Sequence, residues 1–282
     1  MTATAPHPTI HVHTPDPSDV AARVTVTIAD HIAHVRLTRA DKMNAVDPAM
    51  AEAVVAAGQS LMAADVRAVV ISGEGRSFCA GLDVASFAAF AGGDPAARIL
   101  PRSHDDANLM QEVCLVWRRV PVPVIAALHG VAYGAGLQLA LGADIRIAHP
   151  DTKLAIMEMK WGLVPDMGGM VILPGLIRSD VLRRMTYTAE AVAAPQAQAL
   201  GLVTELADDP LAAAMALAGQ IAARSPSAIR AAKRLIALAE SGAHRADVLM
   251  AESVEQAALI GRPHQMEQIS ANLSGRAPVF KG

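Results

Sequence analysis

Aromatic residues are scarce in this chain: two Trp, two Tyr and four Phe make up 3% of 282 residues. A core therefore cannot rest on stacked rings and must come from Ala, Val, Leu, Ile and Met, the side chains of closely packed helices and buried strands. Cysteine is as rare. Cys79 and Cys114 stand alone, and neither has a CxxC partner. That argues against a disulfide or metal framework and fits a reducing compartment, so a cytoplasmic protein is expected. Nothing near Cys79 in sequence would lower its thiol pKa, so it reads as a small buried residue rather than a nucleophile. No basic block exists and the net charge is −3, which leaves nucleic-acid binding without an electrostatic footprint. No apolar run is long enough to span a bilayer without interruption, and the first residues lack a basic region followed by an apolar core. Neither a membrane span nor a signal peptide is expected.

What is present is a chain 52% hydrophobic and 18% charged, enough for a large core with apolar surface to spare for subunit contacts. Residues 1–20 are rich in Pro, Thr and His and read as a flexible arm; His7, His11 and His13 lack carboxylate or cysteine partners for a metal. Residues 21–205 read as the core. Alternating runs predict a hairpin over 24–28 and 31–37 about Ala29-Asp30. Asp47 and Pro48 predict a helix N-terminus, with the helix running to about 63 and a strand over 66–71. This strand–helix–strand order is that of a parallel crossover. Residues 84–104 read as a connection lining a pocket, 105–118 as a helix. From 206 to 282 the periodicity is helical, broken at Ser225-Pro226, Gly242 and Arg262-Pro263, and is expected to form an oligomerisation region.

The chain is organised around 129–148. A β-branched strand, 122–128, runs into Gly130, Gly134 and Gly136, then an apolar helix over 137–141. A turn without bulk lets a ligand approach the backbone, and the following helix start offers free N–H groups to a phosphate or an oxyanion. The spacing is not that of a dinucleotide fingerprint. Close packing of helix on strand is the structural alternative. An oxyanion hole needs a second backbone donor, which 80–83 could supply. Ser77 is not in a nucleophile elbow, and no Ser-His-Asp set can be assembled around the turn. Further on, Glu158 and Asp166 sit among apolar residues before Gly168-Gly169. Each could be a surface charge, but an apolar setting raises a carboxylate's pKa and suits proton transfer.

Taken in order, Arg39 to Ala45, Ser77 to Asp83, Gly130 to Leu139, Glu158 with Gly162, Gly201 to Val203, Ser225 to Ala228 and Gly275 to Lys281 resemble the crotonase superfamily, the enoyl-CoA hydratase/isomerase family. The resemblance implies an α/β spiral of repeated β-β-α turns with a helical C-terminal region, assembled as a homotrimer or hexamer. It implies an acyl-CoA substrate, with coenzyme A entering as part of the thioester and no separate cofactor or metal. The backbone N–H groups of Leu82 and Ala135 would form the oxyanion hole, although the family usually has Gly at the position of Ala135. CoA would contact Lys42, Met43, Asn44, Ala45, Ala80, Gly81 and Asp83, with Phe280 and Lys281 reaching it from the same or a neighbouring subunit. Hydratases of the family carry a glutamate at the position of Gln138 and another at that of Glu158. Gln138 cannot act as acid or base near neutral pH. Asp166 follows Glu158 at the spacing of dienoyl-CoA isomerases, which carry an Asp where this chain has Gln138. Glu158, Asp166 and Gln138 are thus the candidate catalytic set, with double-bond isomerisation favoured, hydration second, and a non-catalytic acyl-CoA-binding member as a further alternative.

Overall fold

The structure, a computed structural model, describes residues 23–85 and 94–281. The arm expected at 1–20 and the middle of the 84–104 connection lie outside these residues.

The chain opens with β1 (Val24–Ala29) and β2 (Ile32–Leu37), paired antiparallel. The turn is Asp30-His31, one residue later than expected. Both residues have positive φ, 50° and 61°, which matches the twist of a two-residue hairpin. Helix α1 (Pro48–Ser60) begins at the predicted cap: Asp47 accepts a hydrogen bond from the Met50 N–H at 2.8 Å. β3 (Ala68–Gly73) then lies parallel to β2. After α2 (Pro95–Ile99) comes α3 (Leu109–Arg119). It starts later than the expected residue 105 because Asn108 and Gln111 form a reciprocal capping box.

The glycine-rich stretch is more than a turn. β4 (Val124–Leu128) leads to a short strand, β5 (Val131–Tyr133), before α4 (Ala135–Leu141). β6 (Ile145–Ala148) and β7 (Lys153–Ala155) follow. Next are α5 (Gly169–Leu176), α6 (Ser179–Thr188), β8 (Val192–Ala193) and α7 (Ala194–Leu200). The strand expected over 201–205 is reduced to β9 (Glu205–Leu206), because Gly201 is spent on a left-handed helix cap at φ 94°. Four helices close the chain: α8 (Pro210–Ala222), α9 (Pro226–Glu240), α10 (Arg245–Leu259) and α11 (Pro263–Leu273).

Two sheets result. The larger runs β1-β2-β3-β4-β6-β9, parallel from β2 onward; the smaller runs β5-β7-β8. After β2, β3, β4 and β6 the chain crosses from the large sheet into a short extended segment beside the previous one. Val46 bridges Leu82, Cys79 bridges Ala132, and β5 pairs with β7. Each turn thus adds one strand to each layer, which is the expected β-β-α spiral. One face of the large sheet packs Val69, Ile71, Ala126 and Leu128 against α1, α3 and α4. The other packs Val70, Ile125 and Ile147 against Ala214 and Ala218 of α8. Helix α8 is therefore part of the core, although it follows residue 205, where the sequence reading began the C-terminal region. Beyond it, α9 and α11 bury little more than Ala231 and Ala271, while Ile236, Met250, Val254, Met266 and Leu273 are exposed. Among the described residues no helix is long and apolar enough to cross a membrane.

Candidate active site

The two backbone N–H groups expected to form an oxyanion hole come together because of the spiral. The Cys79 N–H donates to Val131 O and the Tyr133 N–H to Cys79 O, so 78–80 runs alongside β5. The chains then end side by side at Gly81-Leu82 and Gly134-Ala135. Close approach explains the glycines. A Cβ on Gly136 would lie 2.3 Å from Cys79 O, and one on Gly81 2.8 Å from Tyr133 O and 3.9 Å from the Ala135 nitrogen. Gly81 and Gly134 also hold φ of 103° and 47°. Ala135 is the first residue of α4, so its N–H has no partner within the helix. Among the described residues the Leu82 N–H also donates to no backbone carbonyl, while its neighbours Gly81 and Asp83 are used in the ladder to Val46. Two free donors thus converge at a helix N-terminus, the arrangement that stabilises a developing negative oxygen.

Glu158 opens a short 3-10 turn, Glu158–Trp161, after β7, closed by Gly162 in left-handed conformation. It faces the same point from the other side. A Cβ on Gly134 would lie 3.3 Å from Glu158 Oε1. Burial raises the Glu158 pKa, Asp166 raises it further by charge repulsion, and hydrogen bonds from Gln138 and local backbone oppose the rise. Asp166 is exposed as a residue, but protein around its carboxyl raises its pKa too. The charge of Asp166 thus acts on Glu158.

Gln138, buried one turn into α4, joins these parts. Its Nε2 donates to Glu158 Oε1 at 2.6 Å. Its Oε1 accepts from the N–H groups of Met167 and Gly169 at 2.9 and 3.1 Å. The second oxygen of Glu158 is buried without a hydrogen-bond partner among the described residues.

The expected CoA loops also meet. The Ala80 N–H donates to Met43 O and the Val46 N–H to Gly81 O, which places 42–46 against 80–83. Two assignments change. The Asn44 side chain is fully buried and committed to the backbone: it accepts from the Arg39 N–H and donates to the carbonyls of Glu74, Ser77 and Phe78 at 2.9–3.1 Å. It builds the loop and is not free to touch a ligand. Phe280 and Lys281 lie elsewhere. The Phe280 ring packs under the Arg67 guanidinium and edge-on to His264, and Lys281 O meets His264 Nε2. Arg67 precedes β3, whereas 78–83 follow it, so about 20 Å of strand separates them. Within one chain these two residues do not join the site.

Arg39 is the residue that sequence reasoning named without a role. It pairs with Asp83 at 2.7 Å and Asp47 at 3.3 Å and donates to Ala45 O, so one guanidinium ties the helix cap, the 42–45 loop and the residue after Leu82. The arginine pairing lowers the Asp83 pKa against the cost of burial. Cys79 is buried, with its thiol pushed up to about 12, and serves as packing. No group of His, Cys, Asp and Glu able to hold a metal occurs among the described residues.

The chain matches the family model described as enoyl-CoA hydratase/isomerase over residues 27–282. It is 36% identical to the human mitochondrial Delta(3,5)-Delta(2,4)-dienoyl-CoA isomerase over 227 residues, 78% of this chain and 69% of that one. It is 28% identical to the (E)-benzylidenesuccinyl-CoA hydratase of Thauera aromatica, over 92% of this chain and 99% of that one. The crystal structure of an enoyl-CoA hydratase from Bacillus anthracis superposes with a TM-score of 0.83 at 27% identity, covering 92% and 99% of the two chains.

Proposed function

This chain belongs to the enoyl-CoA hydratase/isomerase family, and from that membership we propose that it moves a double bond of an enoyl-CoA or dienoyl-CoA, with Glu158 as the base. The observation that carries the reading is the side chain hydrogen-bonded to Glu158: an amide, Gln138, where a hydration pair needs a second carboxyl group. An amide holds a position but gives up no proton near neutral pH. Isomerisation needs only a base that removes a proton beside the thioester and returns it further along the chain. The negative charge made in between rests on the thioester oxygen, which the N–H groups of Leu82 and Ala135 would hold. The raised pKa of Glu158 suits a group that must accept a proton and then release it. Asp166, whose charge acts on Glu158, would serve a dienoyl substrate as a second proton carrier, or tune Glu158. The CoA moiety would lie along Lys42, Met43, Ala45, Ala80 and Gly81, beside Asp83 with its charge met by Arg39. The exposed apolar surface of α9 to α11 suits assembly as a homotrimer or hexamer, which would also bring the Phe280–Lys281 tail near a neighbour's site.

Purified enzyme is assayed on 3-enoyl-CoA, 3,5-dienoyl-CoA and crotonyl-CoA. The expectation is fast isomerisation, feeble hydration, and loss of both in Glu158→Gln. Fast hydration with poor isomerisation overturns the choice of reaction. Full activity in Glu158→Gln on every substrate overturns the base, and absence of binding to any acyl-CoA leaves a non-catalytic scaffold. Hydration is the second reading, favoured by the similarity to the Thauera hydratase.

A further inference from the structure

We propose that Arg39 is a positioning residue: its guanidinium clamps the backbone on both sides of Val46, and through two successive peptide groups this fixes the direction of the Leu82 N–H. The proposal rests on the reading of Leu82 and Ala135 as oxyanion donors.

The chain of contacts starts at one guanidinium. Arg39 Nη1 donates to Ala45 O at 2.9 Å and lies 2.7 Å from the Asp83 carboxylate, and Nη2 lies 3.3 Å from the Asp47 carboxylate. A trans peptide group is planar, so its C=O and N–H point in opposite directions. No cis peptide bond occurs among the described residues. With Ala45 O turned toward Arg39, the Val46 N–H of the same peptide group must point away from it. It donates to Gly81 O at 2.8 Å. Gly81 O belongs in turn to the peptide group that carries the Leu82 N–H. That N–H therefore points away from Val46, and among the described residues it donates to no backbone carbonyl. The second donor is close by: a Cβ on Gly81 would lie 3.9 Å from the Ala135 nitrogen.

The Leu82 peptide needs such a hold. Gly81, at φ 103°, has no side chain to fix its conformation, so the direction of the next N–H depends on the hydrogen bonds around it. On the far side the Asp83 N–H returns to Val46 O at 2.8 Å. Arg39 thus grips the residues flanking Val46, Ala45 and Asp47, and the residue after Leu82. The side chains of Arg39, Asp47 and Asp83 are only 11–15% exposed, which limits replacement of these bonds by water. Hydrogen-bonded peptide groups in a row also polarise one another. Here a guanidinium stands at the carbonyl end of the row and the developing oxyanion at its N–H end, so the row strengthens the donor it aims. Lysine could not do the same, because an ammonium is a point charge and lacks the planar fork that spans three acceptors. Arg23 provides the internal comparison. It holds the same Asp47 oxygen at 2.9 Å but reaches neither Ala45 nor Asp83 among the described residues.

The test uses acetoacetyl-CoA as the probe. Loss of its C2 proton gives an enolate that absorbs in the near ultraviolet and calls on the same two donors. The enolate fraction is read at saturation over a pH series, an equilibrium inside the complex that does not depend on how tightly CoA is held. Wild type should ionise the bound probe at a lower pH than the free probe. In Arg39→Met the pH of half-ionisation should rise by about one unit and kcat on 3-enoyl-CoA should fall about tenfold. This is less than the roughly 10²–10³-fold effect of a lost donor, because the N–H is turned rather than removed. Arg39→Lys should unfold closer to wild type in urea yet keep most of the enolate shift. Arg23→Met should lose stability but ionise the probe as wild type does. Should Arg39→Met not fold, Arg39→Lys decides alone. A wild-type enolate in the folded Arg39 variants, whatever happens to KM or stability, would make Arg39 a brace of the loop and overturn the proposal. An equal shift in Arg23→Met would assign the effect to the α1 cap and overturn it too. A wild type that binds the probe without lowering its half-ionisation pH would instead remove the oxyanion reading beneath, a distinguishable failure.

Discussion

Replacing Asn44 by Ala tests how the loop beside the site is built. The side chain is fully buried, accepts one backbone N–H and donates to three carbonyls, and its residue sits at φ 55°. Alanine removes all four contacts and leaves the Arg39 N–H and the carbonyls of Glu74, Ser77 and Phe78 to find other partners. A buried polar group left unmade costs about 1–3 kcal/mol, and not all four will be orphaned once the loop relaxes. Alanine is also less tolerant of the left-handed region than asparagine, by about 1 kcal/mol. The sum is a loss of about 3–5 kcal/mol, a large part of the stability of an ordinary domain. Urea denaturation followed by circular dichroism should show a lower midpoint with an unchanged slope. Asn44→Gly separates the two contributions, because glycine removes the same hydrogen bonds but accepts the backbone angle; it should be about 1 kcal/mol less destabilised than the alanine variant. KM for acyl-CoA should rise in both, since this side chain ties the 39–45 loop to 74–78. A shift below about 1 kcal/mol in Asn44→Ala would refute the reasoning, because it would mean that these contacts are replaced by water at no loss.

Gly81→Ala should reduce kcat about 10²–10³-fold, the usual effect of losing an oxyanion donor, because the new Cβ would sit 2.8 Å from Tyr133 O at φ 103° and push Leu82 out of line; near-normal kcat would speak against Leu82 as a donor. The carboxyls of Glu158 and Asp166 both have raised native pKa, so the native state binds their protons more tightly than the unfolded chain. Their contribution to stability is most favourable below the unfolded carboxylate range and is lost as pH rises through the raised values; Glu158→Gln and Asp166→Asn should therefore melt above wild type at about pH 8, with the gap closing below about pH 4. Lys233 ties α9 to the core by donating to Trp117 O, Val122 O and Asp144, so Lys233→Met should cost about 3 kcal/mol in chemical denaturation, with kcat less affected than stability. Light scattering should find an oligomer at micromolar concentration, and the same oligomer after deletion of the first 18 residues.

Much of the scaffold was legible in the chain because its signals are local. Asp47 and Pro48 carry their own helix start, and the 24–37 alternation carries its own hairpin, misplaced by a single residue only because Asp30 and His31 both accept positive φ. The glycines of 130–136 announced a close approach of backbones. What they approach was not written there. β5 has three residues, too few for any periodicity, and it exists because Cys79 and β7 flank it from far along the chain. Asn44 reads as a ligand contact in sequence and becomes a brace only when the 74–78 loop folds over it. Phe280 and Lys281 sit at the far end of β3 because Arg67 and His264 hold them there. Gln138 shows the division most sharply. Its identity alone ruled out a second acid, but the direction of its amide, and with it the hydrogen bond to Glu158, is set by the N–H groups of Met167 and Gly169, which only the packing of α5 against α4 brings within reach.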